Sequence, residues 1–228
     1  MNSPSWKAGA NVAFIVVDVQ KDFCPGGSLG APGGDKIVPV INSLRDHFNT
    51  VVFTRDWHPA GHKLFASSRG VAPFTKLQTS YGEETLWPDH CVQGSEGAKF
   101  HPDLIVREGD LILSKGTDPE VESLSAFVHN DGVGHPKFDN GNTLAEELRE
   151  RRINTNVIGG LVRDICVGLT ALKSIKEHFR TIVVMDAAQP LNEEADVKMR
   201  ADLEALGVEF VYSADLEKTL ARPGPQIA

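Results

Sequence analysis

The chain has 228 residues, 41% hydrophobic and 24% charged, and a net charge of −8. That length suits one domain with a sizeable core, and the composition is that of a globular protein and not a disordered one. The acidic balance and the lack of any basic run exclude a nucleic-acid partner, and no stretch of eighteen apolar residues offers a membrane span.

Taken in chain order, Val12 to Val17 is a continuous apolar, β-branched run, the pattern of a strand covered on both faces. A glycine-rich loop follows, then apolar residues at helical spacing from Ile37 to Phe48 and a second strand, Thr50 to Thr54. Leu111 to Leu113 reads as a third strand and Leu144 to Arg152 as a helix. Asn156 to Ile158 is a strand leading to a helix with Cys166 near its start. Thr181 to Met185 is a strand, Glu193 to Leu206 a helix and Val208 to Tyr212 a last strand. Six strands alternating with helices predict a three-layer α/β/α domain over 1–228, with an open, mostly parallel six-stranded sheet of Rossmann-type topology. Two irregular stretches, 63–99 and 118–142, are expected to be loop insertions that wall a site, and the tail 221–228 is expected to be mobile.

Met1 to Asn11 lacks a charged segment followed by a long apolar one, and three cysteines cannot all pair. Both features lead us to expect a soluble cytoplasmic protein with free thiols.

Ligands of open parallel sheets sit beyond the carboxyl ends of the strands. Asp18, Asp56, Lys115 and Cys166 all fall at or just after such ends. For Cys166 the competing reading is an inert cysteine packing the helix–sheet seam. A thiol, a carboxylate and a lysine at one edge instead suggest nucleophilic attack on a carbonyl carbon. Moving the proton from an ordinary thiol to an ordinary aspartate costs roughly 6 kcal/mol, so the site must close that gap. Lys115 and the unpaired N–H groups of a helix start favour the thiolate, and partial burial raises the affinity of Asp18.

The segment Asp56-Trp57-His58-Pro59-Ala60-Gly61-His62 carries a second chemistry, because proline and glycine keep it from being helical and let Asp56 and His58 converge on one ion. Trp87-Pro88-Asp89-His90-Cys91 supplies a third ligand, His90 or alternatively Cys91, and the role of His62 stays open. One carboxylate and two or three imidazoles suit zinc, iron or manganese. Cys24 is expected to be structural.

Asp18-Val19-Gln20-x-Asp22-Phe23, Asp56-Trp57-His58-Pro59, Trp87-Pro88-Asp89-His90-Cys91-Val92, Lys115-Gly116-Thr117-Asp118-Pro119 and the loop before Cys166 occur in the order seen in nicotinamidases, also called pyrazinamidases. On these motifs the chain resembles that group of isochorismatase-like cysteine hydrolases from Asn11 to Tyr212. The resemblance implies a catalytic triad of Asp18, Lys115 and Cys166 and one divalent metal, zinc before iron or manganese, held by Asp56, His58 and His90, with no organic cofactor. It further implies an oxyanion site from the backbone N–H groups of Val162 and Cys166, and a ring pocket walled by Phe23, Leu29, Trp87, Leu124 and Leu161. The implied reaction is deamidation of nicotinamide to nicotinate and ammonia through a cysteine thioester, feeding NAD salvage.

The partner is then a small molecule; homo-oligomerisation stays open. The family also places a non-proline cis peptide at a position corresponding to Leu161–Val162. Where the family commonly reads Gly-Leu-Ala-Thr-Asp-Tyr/His-Cys-Val, this chain has Val162, Arg163 and Ile165, and Leu124 stands where many members have a tyrosine. Rival readings are a metal-independent amidase or carbamoyl hydrolase with the same triad, and a non-catalytic binding protein of this fold. A dinucleotide oxidoreductase is disfavoured, since Gly26 to Gly34 lacks the Gly-x-Gly-x-x-Gly spacing.

Overall fold

The computed structural model describes residues 6–224. Its main sheet contains β1 (Val12–Val17), β2 (Thr50–Asp56), β5 (Leu111–Lys115), β6 (Thr155–Leu161), β7 (Arg180–Gln189) and β8 (Glu209–Val211). The order is β5-β2-β1-β6-β7-β8, every neighbouring pair being parallel. This is the doubly wound order, with its switch point between β1 and β6.

The apolar run of β1 has two destinations. Phe14 and Val16 face one core with Ile41 and Leu44 of α1 (Val38–Arg45) and Leu216 of α5 (Leu216–Leu220). Ala13, Ile15 and Val17 face the other, with α2 (Leu144–Glu150), α3 (Gly168–Lys176) and α4 (Glu193–Glu204). Alternate side chains of one strand thus feed two cores, which gives the three layers and explains why no polar face interrupts the run.

All six expected strands are present, with differences that have physical causes. β7 continues to Gln189 through a bulge: Ile158 pairs with Val183, but Gly160 pairs with Ala188. The added half, Asp186-Ala187-Ala188-Gln189, lacks the β-branched character that marks a buried strand. The first helix is shorter than its apolar spacing suggests: Ile37 belongs to a 3₁₀ turn, Gly34–Ile37, and after Arg45 the chain turns out of the helix, His47 N–H donating to Leu44 O and Phe48 N–H to Arg45 O. α2 starts at a capping box, Thr143 accepting from the N–H of Glu146 while Glu146 reaches back.

The first expected loop, 63–99, contains an antiparallel hairpin, β3 (Lys76–Gln78) and β4 (Glu83–Thr85). Arg180 donates to the carbonyls of Thr219 and Arg222, at 2.8 Å each, so the chain is tethered as far as Arg222. The rest of the tail expected to be mobile, 225–228, lies outside the described residues. Among the described residues no helix is long and apolar enough to cross a membrane.

Candidate active site

Asp18 is the first residue past β1, fully buried at φ +49°. Its Oδ1 accepts from Thr54 Oγ1 at 2.6 Å and its Oδ2 lies 2.8 Å from Lys115 Nζ. Lys115, the last residue of β5, is itself fully buried, and its ammonium also touches Asp56 Oδ1 and sits 3.7 Å from Cys166 Sγ. One cation therefore joins two carboxylates and the thiol, and the four strand-end residues converge as their positions predicted. Gln20 fixes the backbone beneath them: its amide nitrogen donates to Asp56 O and Ala98 O, and its oxygen accepts from Asp56 N–H. Gln20 belongs to the Asp18-Val19-Gln20 motif, but neither its residue type nor its spacing indicates that role.

Cys166 does not open a regular helix. It lies in the π-helical turn Arg163–Val167, where the Val162 carbonyl accepts from both Ile165 and Val167 N–H, and α3 begins two residues later. The peptide Leu161–Val162 is cis, as the resemblance implied. Gly160 before it has φ +122°, and a Cβ there would lie 2.0 Å from the Val17 carbonyl, so only glycine lets β6 approach β1 this closely.

Burial dominates the electrostatics. It pushes Asp18 up to about 6 against the pull of Lys115, with Asp56 adding to the rise. It also raises the Cys166 thiol well above the ordinary range; Lys115 opposes this and Asp18 and Asp56 reinforce it. The resting group is therefore a thiol and not a preformed thiolate. Burial works against charge on Lys115, yet Asp18, Asp56 and Cys166 outweigh it and hold the ammonium firmly protonated. Asp56 is likewise buried, but Lys115 keeps it below the usual carboxylate range.

On the far side of Asp56, donor atoms of Asp56, His58 and His90 lie within 4.8 Å of one another, all buried. His90 Nε2 is 3.7 Å from Asp56 Oδ2, while its Nδ1 lies 2.8 Å from the Pro88 carbonyl, which sets the tautomer that leaves Nε2 free for a ligand. This donor set, one carboxylate oxygen and two imidazoles, fits a divalent metal.

Glu122 is a residue that sequence reasoning missed. It is buried, with its oxygens 3.0 and 3.1 Å from His58 Nε2, and with His62 and His58 it forms a second converging group. Burial opposes charge on His58, but Glu122 prevails and lifts it to about 9. The same pairing holds Glu122 far below its ordinary value despite burial. Gly116, at φ +66°, makes room, since a Cβ there would come within 2.6 Å of His58 Nε2. Cys91, the alternative ligand, is buried but outside these groups among the described residues. Burial, with Asp35 adding, raises the Cys24 thiol to about 11, in keeping with a structural role.

A small, largely apolar cavity over the thiol is lined by Phe23, Leu29, Asp56, Trp87, His90, Leu124, Val162, Ile165 and Cys166. Four of the five expected wall residues are there. Leu161 is not: its side chain packs into the core beside Gly34, on the α1 face of the sheet, and Ile165 takes its place in the wall.

A buried thiol, a lysine-bridged aspartate and a metal donor set meet at the switch point of a doubly wound sheet, an arrangement of the isochorismatase type. The isochorismatase domain model matches residues 12–215, and the chain belongs to that family. A nicotinamidase of Acinetobacter baylyi is 39% identical over 212 residues, covering 92% of this chain and 96% of that protein. Among solved structures, a nicotinamidase/pyrazinamidase of Acinetobacter baumannii superposes with a TM-score of 0.85 at 38% identity, covering 92% of this chain and all of that one. A pyrazinamidase of Pyrococcus horikoshii in complex with zinc gives 0.72 at 32% identity, covering 89% and 99%.

Proposed function

We propose that the protein hydrolyses nicotinamide to nicotinate and ammonia, with Asp18, Lys115 and Cys166 as its catalytic residues. The observation that carries this reading is the placement of one buried ammonium against Asp18, Asp56 and the Cys166 thiol, directly beneath an apolar cavity. Asp18, raised to about 6, accepts the thiol proton more readily than an ordinary aspartate does. The sulfur forms a bond to the carboxamide carbon as the carbonyl electron pair moves onto oxygen, and Lys115 at 3.7 Å offsets the charge passing through sulfur. At an effective dielectric of 20 that attraction is about 4 kcal/mol.

The backbone N–H groups of Val162 and Cys166 receive the oxyanion. On its collapse the C–N bond breaks and ammonia leaves with the proton from Asp18. Asp18 then takes a proton from water, whose oxygen attacks the thioester carbon; the C–S bond breaks, Asp18 returns that proton to the sulfur to restore the thiol, and the acid product loses its own proton to solvent and departs as nicotinate. Phe23, Leu29, Trp87 and Leu124 hold the ring and exclude bulk water.

Asp56, His58 and His90 would hold the metal, which when bound supplies a Lewis-acidic site for the ring nitrogen. The chemistry of these donors, together with the zinc-bound relative, supports zinc. Three free thiols support a reducing cytoplasm, where nicotinate would enter NAD salvage. The test is ammonia release from nicotinamide with and without chelator, beside Cys166→Ala. Activity that survives both treatments would refute the assignment.

A further inference from the structure

The Arg163 side chain is 9% exposed. Its Nε and one terminal nitrogen grip Asp196 as a fork, at 2.8 and 2.9 Å. The other terminal nitrogen donates to the carbonyls of Ala188 at 2.8 Å, where pairing with β6 resumes, and of Met185 at 3.1 Å, within the β7 bulge. Asp196, fully buried in the first turn of α4, also accepts from Arg200 at 3.0 Å. The next residue, Asp164, accepts from the N–H groups of Leu191 and Asn192. Two consecutive side chains thus bolt one short turn to β7 and α4.

We infer that Arg163 is a positioning residue for the oxyanion site: through its fork on Asp196 and its bonds to β7 it fixes the turn that carries the backbone N–H groups of Val162 and Cys166. This rests on the deamidation reading above. Stability alone accounts poorly for the arrangement, because well-packed apolar side chains commonly replace a buried ion pair without loss. What they cannot supply is direction. A guanidinium presents its donors in one rigid plane, so meeting Asp196 and both carbonyls together leaves the Arg163 backbone little freedom, and Val162 is bonded directly to it. The attacking sulfur and one oxyanion donor sit on this five-residue turn and the other donor, Val162, directly precedes it, so a shift of the turn misaligns all three.

The test compares wild type with Arg163→Met, Arg163→Lys and Asp196→Asn. It uses kcat and KM for nicotinamide and inhibition by two ring analogues. Nicotinaldehyde reports the oxyanion site, because addition of the Cys166 sulfur to its carbonyl carbon passes the thiol proton to Asp18 and the carbonyl electron pair to oxygen. 3-Methylpyridine has the ring and no carbonyl, and reports the ring pocket alone.

For Arg163→Met the expected result is a fall in kcat of about tenfold to a hundredfold, the cost of an ångström-scale misplacement. Nicotinaldehyde affinity should fall in parallel, while KM and 3-methylpyridine inhibition stay near wild type and Arg163→Lys recovers only part of the loss. Should the methionine variant fail to fold, the lysine and asparagine variants carry the same comparison. Folded variants with wild-type kcat, or with both analogues weakened equally, overturn the inference while leaving the function intact. Wild-type protein that releases no ammonia from nicotinamide overturns the function reading, and this inference with it.

Discussion

Asp18→Asn should stabilise the protein while abolishing most of its activity. Burial raises the Asp18 carboxyl from 3.8 to about 6 in the folded state, Lys115 notwithstanding. A rise of about two pH units corresponds to roughly 3 kcal/mol. The sign follows from proton binding: between about pH 4 and pH 6 the folded state binds more protons at this position than the unfolded chain. Its contribution to stability is therefore present below pH 4 and is lost as the pH rises through 6. Asparagine removes the ionisation without leaving a gap, since its oxygen can accept from Lys115 and its amide can donate to Thr54 Oγ1, which presently donates to Asp18. Lys115 keeps Asp56 as its counter-charge.

Urea unfolding of metal-stripped wild type and variant, both in chelator, should show the variant more stable at pH 7.5 by up to about 3 kcal/mol, narrowing to about 1 kcal/mol at pH 4.5. Loss of the general base should lower kcat by about 10²- to 10⁴-fold. A variant less stable than wild type at pH 7.5, or a difference that does not change with pH, would show that Lys115 outweighs burial and that the reasoning is wrong.

Glu122→Gln removes the anion beside His58 and should weaken metal binding by about 10- to 100-fold, read by competition with a chromophoric chelator; unchanged affinity would make Glu122 a bystander. Leu124→Ala widens the cavity wall and should lower kcat/KM for nicotinamide about tenfold while sparing ring-substituted amides, which a substrate panel measures. Gly160→Ala places a methyl 2.0 Å from the Val17 carbonyl at a φ of +122° and should cost more than about 4 kcal/mol, seen as insoluble expression or a collapsed urea midpoint.

Parts of the molecule differ in how far the sequence exposes them, for identifiable reasons. The inner strands β1, β2, β6 and β7 are legible because burial on both faces demands apolar runs, the partly buried edge strands β5 and β8 show only short ones, and Asp18, Asp56 and Lys115 are legible because they stand at strand ends. The hairpin of Lys76–Gln78 and Glu83–Thr85 is not, since short and mostly exposed strands carry no pattern to distinguish them from loop. Glu122 sits in an irregular stretch, where no periodicity tells which side chains turn inward. The π-helical turn around Cys166 departs from helical spacing, so the sequence pattern does not show that Ile165 lines the cavity, and Leu161, still in β6, packs into the core beside Gly34. Arg163 is visible in the sequence as a departure from the family pattern, but its partner Asp196 lies thirty-three residues away and only the fold pairs them.

The central pairing of β1 with β6, six residues in register from Val12↔Thr155 to Val17↔Gly160, divides the chemistry into two inheritances. Everything that handles protons and cations, Asp18, Asp56, His58, His90 and Lys115, is encoded ahead of that seam, and the sulfur with its oxyanion turn is encoded after it. A chain cut short before Thr155 holds all the charged partners and no nucleophile, while the remainder holds a thiol with nothing to draw its proton away. Attack on an amide thus begins only when the two halves of the sheet close on each other, and a β1–β6 mismatch of even one residue would silence the site without altering any residue in it.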